Sequence, residues 1–250
     1  MRKKLKLKHL PLYQKIKRYY LYWAYRLSGF SKYNGFHFHQ CFGRKISLTF
    51  DDGPDEKATL EVSRFLKKNG IQATFFVLGK KVFENPEIIR SLDADGHVIG
   101  NHTYDHPRWE FTTPELIREQ IEKTENIVDQ VLKDRYPNGY PHRYFRPPYG
   151  LPWTRGGTHA TRKILQHVLD EKRIQLTLWH VDSEDWRYSE AGEIIHHVKR
   201  CLNPVQGGII LFHDTRDTVI FVLEKMLALS KERNYEIVSL SKLEDQLSLS

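Results

Sequence analysis

Two carboxylates, Asp51 and Asp52, stand side by side where the apolar run "SLTF" meets a Gly-Pro turn. Neighbouring like charges repel, and a helix start or surface turn needs only one acid for capping. Chemistry offers a use for both. One acid can ligate a cation while the other stays free as a base, and adjacent residues point in different directions, so both tasks fit one turn. His102 and His106 are four residues apart, and in a helical turn they share one face. With one carboxylate they form a two-histidine, one-acid metal site that keeps open positions. Zinc suits that set if the reaction is hydrolysis, and non-haem iron suits the same ligands. The bland alternatives are two surface histidines and an N-capping acid pair. The second does not explain why an apolar strand leads straight into the pair.

These residues need elements to position them. After residue 44, strand-like and helix-like segments alternate. Strands are expected at "RKISLTF", "IQATFFVLG", "HVIGNH", "YFRPPYG", "IQLTLWHVD", "GGIILFHD" and "YEIVSL". Helices are expected over 57–69, 80–95, 112–132, 161–171, 190–202 and 219–231. Thr112 and Glu115 have the spacing of a capping box, and Ile117, Ile121, Val128 and Val131 form an apolar stripe behind it. Alternation of this kind implies parallel strands with helices packed outside, either one α/β barrel or an open doubly wound sheet. In both, reactive groups collect at the carboxyl ends of the strands. The polar clusters fall there repeatedly: Asp51 and Asp52, His102 and His106, Arg146 to Tyr149, Asp182, Asp185 and Trp186, then His213 and Asp214. Chance would scatter them over both ends.

Composition sets the outer bounds. The chain has 250 residues, 40% hydrophobic and 28% charged, enough for a sizeable core in one large or two small domains. No apolar run approaches the roughly eighteen residues that a bilayer span needs. Cys41 and Cys201 make no CxxC motif, and their spacing does not decide whether they pair. The net charge of +8 is concentrated: residues 1–50 hold twelve Lys and Arg and no Asp or Glu, and the remaining 200 residues net −4. The opening "MRKKLKLK" starts like a signal peptide, but Lys15, Lys17, Arg18 and Arg26 interrupt the apolar stretch, so a cleaved signal is not expected. Leu12, Ile16, Tyr19, Tyr20, Trp23 and Leu27 instead fall on one helical face. Residues 1–43 therefore read as a basic, aromatic helical arm. It either packs on the main domain or contacts an anionic membrane or cell wall through residues 1–30. Nothing accompanies the charge that suggests nucleic-acid binding. The compartment stays open.

Five motifs together resemble a known family. "TFDDGP" at 49–54, "HTYDH" at 102–106, "RPPYG" at 146–150, "DSEDW" at 182–186 and "LFH" at 211–213 stand in the order seen in the NodB-type polysaccharide deacetylases, carbohydrate esterase family 4. The likeness covers about residues 44–245 and is specific because all five occur. It implies an α/β fold, a distorted (β/α) barrel over 44–250 carrying the basic N-terminal extension. It implies metal-dependent removal of acetyl groups from sugars, with a divalent cation, zinc first, held by Asp52, His102 and His106. Asp51 is then the general base and Arg146 holds it charged. The Tyr149 backbone N–H helps bind the oxyanion. Asp185 orients His213, the general acid. Trp186, Leu211 and Pro148 line the substrate groove. The expected substrate is an N-acetylglucosamine polymer, peptidoglycan before chitin-type oligomers, with O-acetylated xylan or a non-catalytic glycan-binding role as alternatives. The sequon "NHT" at 101–103 overlaps an expected ligand, so a glycan is not expected there. Trp109 and Trp153 suit either sugar stacking or core packing.

Overall fold

The computed structural model describes residues 43–108, 113–150 and 159–243. The expected arm lies outside these, Gly43 apart, as do Cys41, Trp109, Thr112, Trp153 and most of the irregular stretch 150–159.

Strand β1 (Lys45–Gly53) is the centre of the molecule. It pairs in parallel with β2 (Thr74–Val77), β7 (Gly208–His213) and the two-residue β8 (Glu236–Ile237). Strands β3 (Val98–Asn101), β4 (Tyr144–Phe145) and β5 (Gln175–Leu176) extend the sheet beyond β2, and β6 (Val181–Asp182) flanks β7. The order is β5-β4-β3-β2-β1-β7-β6, all parallel. Chain order therefore places β5 and β6 at opposite edges with only residues 177–180 between them. The expected single strand "IQLTLWHVD" is in fact two, and the span between them bridges the mouth of an incomplete barrel.

Alternation along β1 explains the layers. Side chains of successive strand residues face opposite sides. Ile46, Leu48 and Phe50 join Phe75, Val77, Ile210 and Phe212 in the apolar layer beneath the helices. Ser47, Thr49 and Asp51 take the other side and are equally buried. The barrel interior is thus partly polar from its centre to its carboxyl rim.

The helices follow the expected spans, with one correction. The helix expected over 80–95 is α2 (Gly79–Glu84) and α3 (Pro86–Ala94). Pro86 lacks the N–H that would continue a helix and drives Asn85 out of helical geometry, to φ −136°. Helix α1 spans Ala58–Lys68, α4 Pro114–Leu132, α5 His159–Lys172, α6 Ala191–Val205 and α7 Val219–Arg233. The cap of α4 is Thr113, whose side chain accepts from the Leu116 N–H. Buried Ile117, Ile121, Val128 and Leu132 make the apolar stripe, with Gln120 and Thr124 set into it. No helix among the described residues is long and apolar enough to cross a membrane.

Candidate active site

The carboxyl end of β1 resolves the double acid. Asp51 keeps strand geometry, pairing with Phe76 on β2 and His213 on β7. The β1–β2 register then shifts between Asp51 and Gly53, and Asp52 takes φ 72°. An extra residue in left-handed geometry is a bulge, which re-aims a side chain at a sheet rim. Asp tolerates that geometry better than most residues. The two carboxylates therefore leave the backbone in different directions.

Asp51 is 2% exposed and its Oδ1 accepts from Arg146 Nη1 at 2.7 Å. Arg146 is itself fully buried and has four acceptors: Asp51 Oδ1, Thr49 Oγ1 at 2.9 Å, the Thr177 carbonyl at 3.1 Å and the Leu178 carbonyl at 3.2 Å. The last two come from the span bridging the sheet edges. The Phe76 ring lies 4.0 Å from the guanidinium. Burial pulls the Arg146 pKa down from its ordinary value, and the Asp51 charge pulls against it.

His102 and His106 do not sit on a helical turn. Residues 102–106 form an irregular loop in which Thr103 and His106 have φ of 74° and 62°. The loop nonetheless brings both Nε2 atoms to 3.4 Å from Asp52 Oδ1. His102 Nδ1 faces the Arg146 carbonyl at 2.6 Å. A carbonyl can only accept, so Nδ1 carries the hydrogen and Nε2, turned toward the acid, is the atom that can ligate when the ring is neutral. The three ligand atoms lie within 4.8 Å of one another. Asp52 Oδ1 is buried without a hydrogen-bond partner, because the histidine approaches at 3.4 Å are not aligned as hydrogen bonds. An orphaned buried carboxylate oxygen facing two imidazole nitrogens fits a divalent cation, and zinc takes such ligands.

Electrostatics agrees with that fit at Asp52 and His106, while at His102 the two acids favour a proton that a bound cation would have to displace. Burial resists ionisation of Asp52, but the approach of His102 and the charges of His102, His106 and His213 outweigh it and hold the carboxyl far below its usual range. Burial, then the neighbouring His102, pushes His106 down to about 4, so it is neutral as a ligand must be. For His102 burial opposes the charged ring, but Asp51 and Asp52 more than compensate and the pKa is raised.

His213 ends β7 beside Asp51, and the shared register turns both side chains to one side of the sheet. Asp185 grips it twice, accepting from the His213 backbone N–H at 2.8 Å and pairing with Nδ1 at 2.7 Å. The other ring nitrogen stands 3.9 Å from Asp52 Oδ2. Burial works against charge on His213, yet the Asp185 hydrogen bond and charge, followed by Asp51 and Asp52, raise its pKa to about 9.

Tyr149 lies in the short turn Pro148–Gly150 with φ 57°, and its ring is 4.6 Å from the His106 ring, edge to face. Pro148 and Leu211 are buried, and Trp186 is 56% exposed. A cleft of about 220 Å³ is lined by Asp52, Asp185, Trp186, His213 and Arg216, among others. A larger cleft of about 560 Å³ between α4 and α5 is lined by none of these residues.

Several supporting residues add to these, and of them the sequence pointed to Asp214 at the end of β7. Lys81 donates to the Asp52 carbonyl at 2.7 Å. Arg216 donates to the Asp185 and Trp186 carbonyls at 3.2 and 3.1 Å, tying the Asp185 turn to the end of β7. Asp214, fully buried, accepts from Thr59 Oγ1 at 2.5 Å. Thr49 left a trace as well, as a polar residue on the Ser47–Asp51 side of an apolar strand. Cys201 is buried with Sγ 3.4 Å from His197 Nε2.

A curled parallel sheet with a two-histidine, one-acid cluster at its carboxyl rim defines a (β/α)-barrel class with a candidate metal centre, and comparison with known proteins narrows it. The chain belongs to the polysaccharide deacetylase family, whose model matches residues 42–166. It is 34% identical over 201 residues to the peptidoglycan-N-acetylglucosamine deacetylase PgdA of Listeria monocytogenes, a match covering 80% of this chain and 39% of that one. The chain thus spans about two-fifths of that relative. It is 29% identical to the chitooligosaccharide deacetylase of a Bradyrhizobium strain, covering 80% of this chain and 90% of that one. A solved peptidoglycan N-acetylglucosamine deacetylase superposes with a TM-score of 0.68 at 31% identity, covering 80% of this chain and 87% of that one.

Proposed function

We propose that this chain hydrolyses N-acetyl groups on an N-acetylglucosamine-containing polysaccharide, peptidoglycan first and chitin-type oligomers next. Asp52, His102 and His106 would hold a divalent cation, zinc first. Bound there, such a cation supplies Lewis-acid polarisation of the acetyl carbonyl and makes a water more acidic. Asp51, held by the Arg146 guanidinium, takes a proton from the water as it attacks. The Tyr149 backbone N–H helps bind the oxyanion, a contribution of about 3–4 kcal/mol for one donor. His213, charged at neutral pH and oriented by Asp185, gives its Nε2 proton to the departing nitrogen. Without that proton an amine leaves poorly, so an acid and a base are both needed. Trp186, Leu211 and Pro148 line the groove for the sugar and its acetyl group.

The reading rests on one observation: the acid-base pair Asp51 and His213 shares a register beside an orphaned Asp52 oxygen faced by two imidazoles. Peptidoglycan is placed first by the names of the PgdA relative and the solved neighbour. The test is acetate release from N-acetylated peptidoglycan and chitin oligomers with added zinc or cobalt. Release abolished by Asp51→Asn is the expected result, and no acetate from any of these glycans overturns the proposal. We further infer a catalytic unit over 44–250, with residues 1–43 as an arm contacting an anionic membrane or wall. Deleting residues 1–40 is expected to lower pelleting with anionic vesicles or wall fragments while acetate release from soluble oligomers is kept.

A further inference from the structure

We propose that Gln120, on the inner face of α4, is a positioning residue for the candidate metal centre. This rests on the cation reading above. The loop 102–106 carries both imidazoles in a conformation that its sequence does not favour. Thr103 is β-branched and left-handed, a true outlier for such a side chain, and His106 is left-handed as well. Backbone of this kind persists only where its surroundings over-determine it.

The restraints can be traced amide by amide. His102 N–H donates to the Val77 carbonyl at 3.0 Å. Thr103 N–H donates to Asn101 Oδ1 at 2.8 Å, and His106 N–H to Thr103 Oγ1 at 3.1 Å. Two of the three amides between the ligands, those of Tyr104 and Asp105, donate to one atom, Gln120 Oε1, at 2.9 and 3.1 Å. Gln120 is 6% exposed, so water does not readily replace it. On the other side, the Gly79 and Lys80 amides at the start of α2 donate to the Thr103 and Tyr104 carbonyls at 2.9 Å each. Gly79 lies so close to Thr124 of α4 that a side chain there would strike the Thr124 hydroxyl. Helix α4 also fixes the residue that leads into the loop. Asn101 Nδ2 donates to the Ile121 carbonyl at 2.9 Å and to Glu125 Oε1 at 2.8 Å. The loop is thus held between α2 and α4, and Gln120 is the restraint at its midpoint. Losing it leaves the half-buried Tyr104 N–H and the Asp105 N–H without their shared protein acceptor. The loop then relaxes, and the spacing of the His102 and His106 rings, 5.1 Å between centroids, relaxes with it.

The test is zinc affinity of the full chain, measured by competition with a chromophoric chelator, with urea unfolding measured alongside. Gln120→Leu is expected to weaken zinc binding 10–100-fold, the usual cost of losing an outer support of a metal ligand. Gln120→Glu keeps an acceptor in place and is expected to bind within a few-fold of the natural chain. A merely structural role would shift the urea midpoint and leave zinc affinity of the folded protein unchanged. If Gln120→Leu does not fold, Gln120→Asn, whose carbonyl is set back by one methylene, is expected to show the same loss. Natural zinc affinity in the folded Leu or Asn variant overturns the proposal. His106→Ala separates the two readings. If the natural chain binds no better than His106→Ala, the cation site itself fails and this inference with it. If His106→Ala is weak and Gln120→Leu is not, only the positioning role fails.

Discussion

At the scale of single residues, the site turns on giving neighbouring, chemically identical groups different environments. Asp51 is tied to a buried guanidinium, while Asp52, one bulged residue later, faces imidazoles. Asp51→Asn is accordingly expected to lower acetate release by about 10²–10⁴, the usual worth of a general base, with zinc affinity nearly unchanged. Asp52→Asn should instead abolish zinc binding, so titration of both variants separates the roles. His213 makes a second case. Its pKa of about 9, raised by Asp185 against the effect of burial, keeps the ring charged through neutral pH. As the proposed acid it loses its proton when pH rises through that value, so the rate should fall on an alkaline limb near pH 9. Asp185→Asn removes the hydrogen-bonded charge and should move that limb toward lower pH. A pH–rate profile in which the limb stays put would show that Asp185 does not set it.

At the scale of elements, the end of β1 depends on what packs behind it. A Cβ on Gly53 would meet Asp214 Oδ2 at 2.5 Å, so only glycine admits the buried carboxyl here. Burial, against the Thr59 hydrogen bond, pushes the Asp214 pKa up from 3.8 to about 7. The unfolded chain ionises this group near its ordinary value while the folded chain keeps it protonated. Below about pH 4 it is protonated in both states and stability is unaffected. As pH rises from there to 7 the folded state loses ground, by up to about 4 kcal/mol at 1.36 kcal/mol for each pH unit. Asp214→Asn should flatten urea-derived stability over that window. How much of this was legible in sequence differs between elements. The alternation of Ile46, Leu48 and Phe50 with Ser47, Thr49 and Asp51 gives β1 and its faces directly. Five motifs at strand ends place the cluster. The i,i+4 spacing of His102 and His106 suggests a helical turn, because that is the local rule that brings two histidines together. The loop does so through left-handed residues held by Gln120 and Asn101, and tertiary hydrogen bonds leave no periodic trace. The break at Pro86 was legible and was overridden by the apolar pattern. The split of "IQLTLWHVD" was not, because it is imposed by closure of the sheet.

At the scale of the whole molecule, the incomplete barrel makes its site from the place where it fails to close. Between β5 and β6 the span 177–180 leaves the strand order, its ends held by the Phe145 and Ile209 carbonyls, and two of its own carbonyls turn to Arg146. The same guanidinium holds Thr49 and Asp51 of β1, while its own backbone N–H donates to the Asn101 carbonyl of β3 and its carbonyl faces His102. One side chain therefore joins the central strand, the bridging span and the proposed base inside a polar interior. Arg146→Met is about the right length and keeps the apolar contact with Phe76, but it strips the buried Asp51 carboxylate of its partner. Breaking a buried ion pair from one side typically costs about 3–5 kcal/mol, because a charge is left uncompensated. Urea unfolding should show that loss. Adding Asp51→Asn removes the stranded charge, so the double variant should be more stable than Arg146→Met alone. A double-mutant cycle isolates the coupling, since these residues are in contact and their effects cannot add. Equal destabilisation of the single and double variants would mean that Arg146 stabilises the barrel through the Thr177 and Leu178 carbonyls and contributes nothing through Asp51.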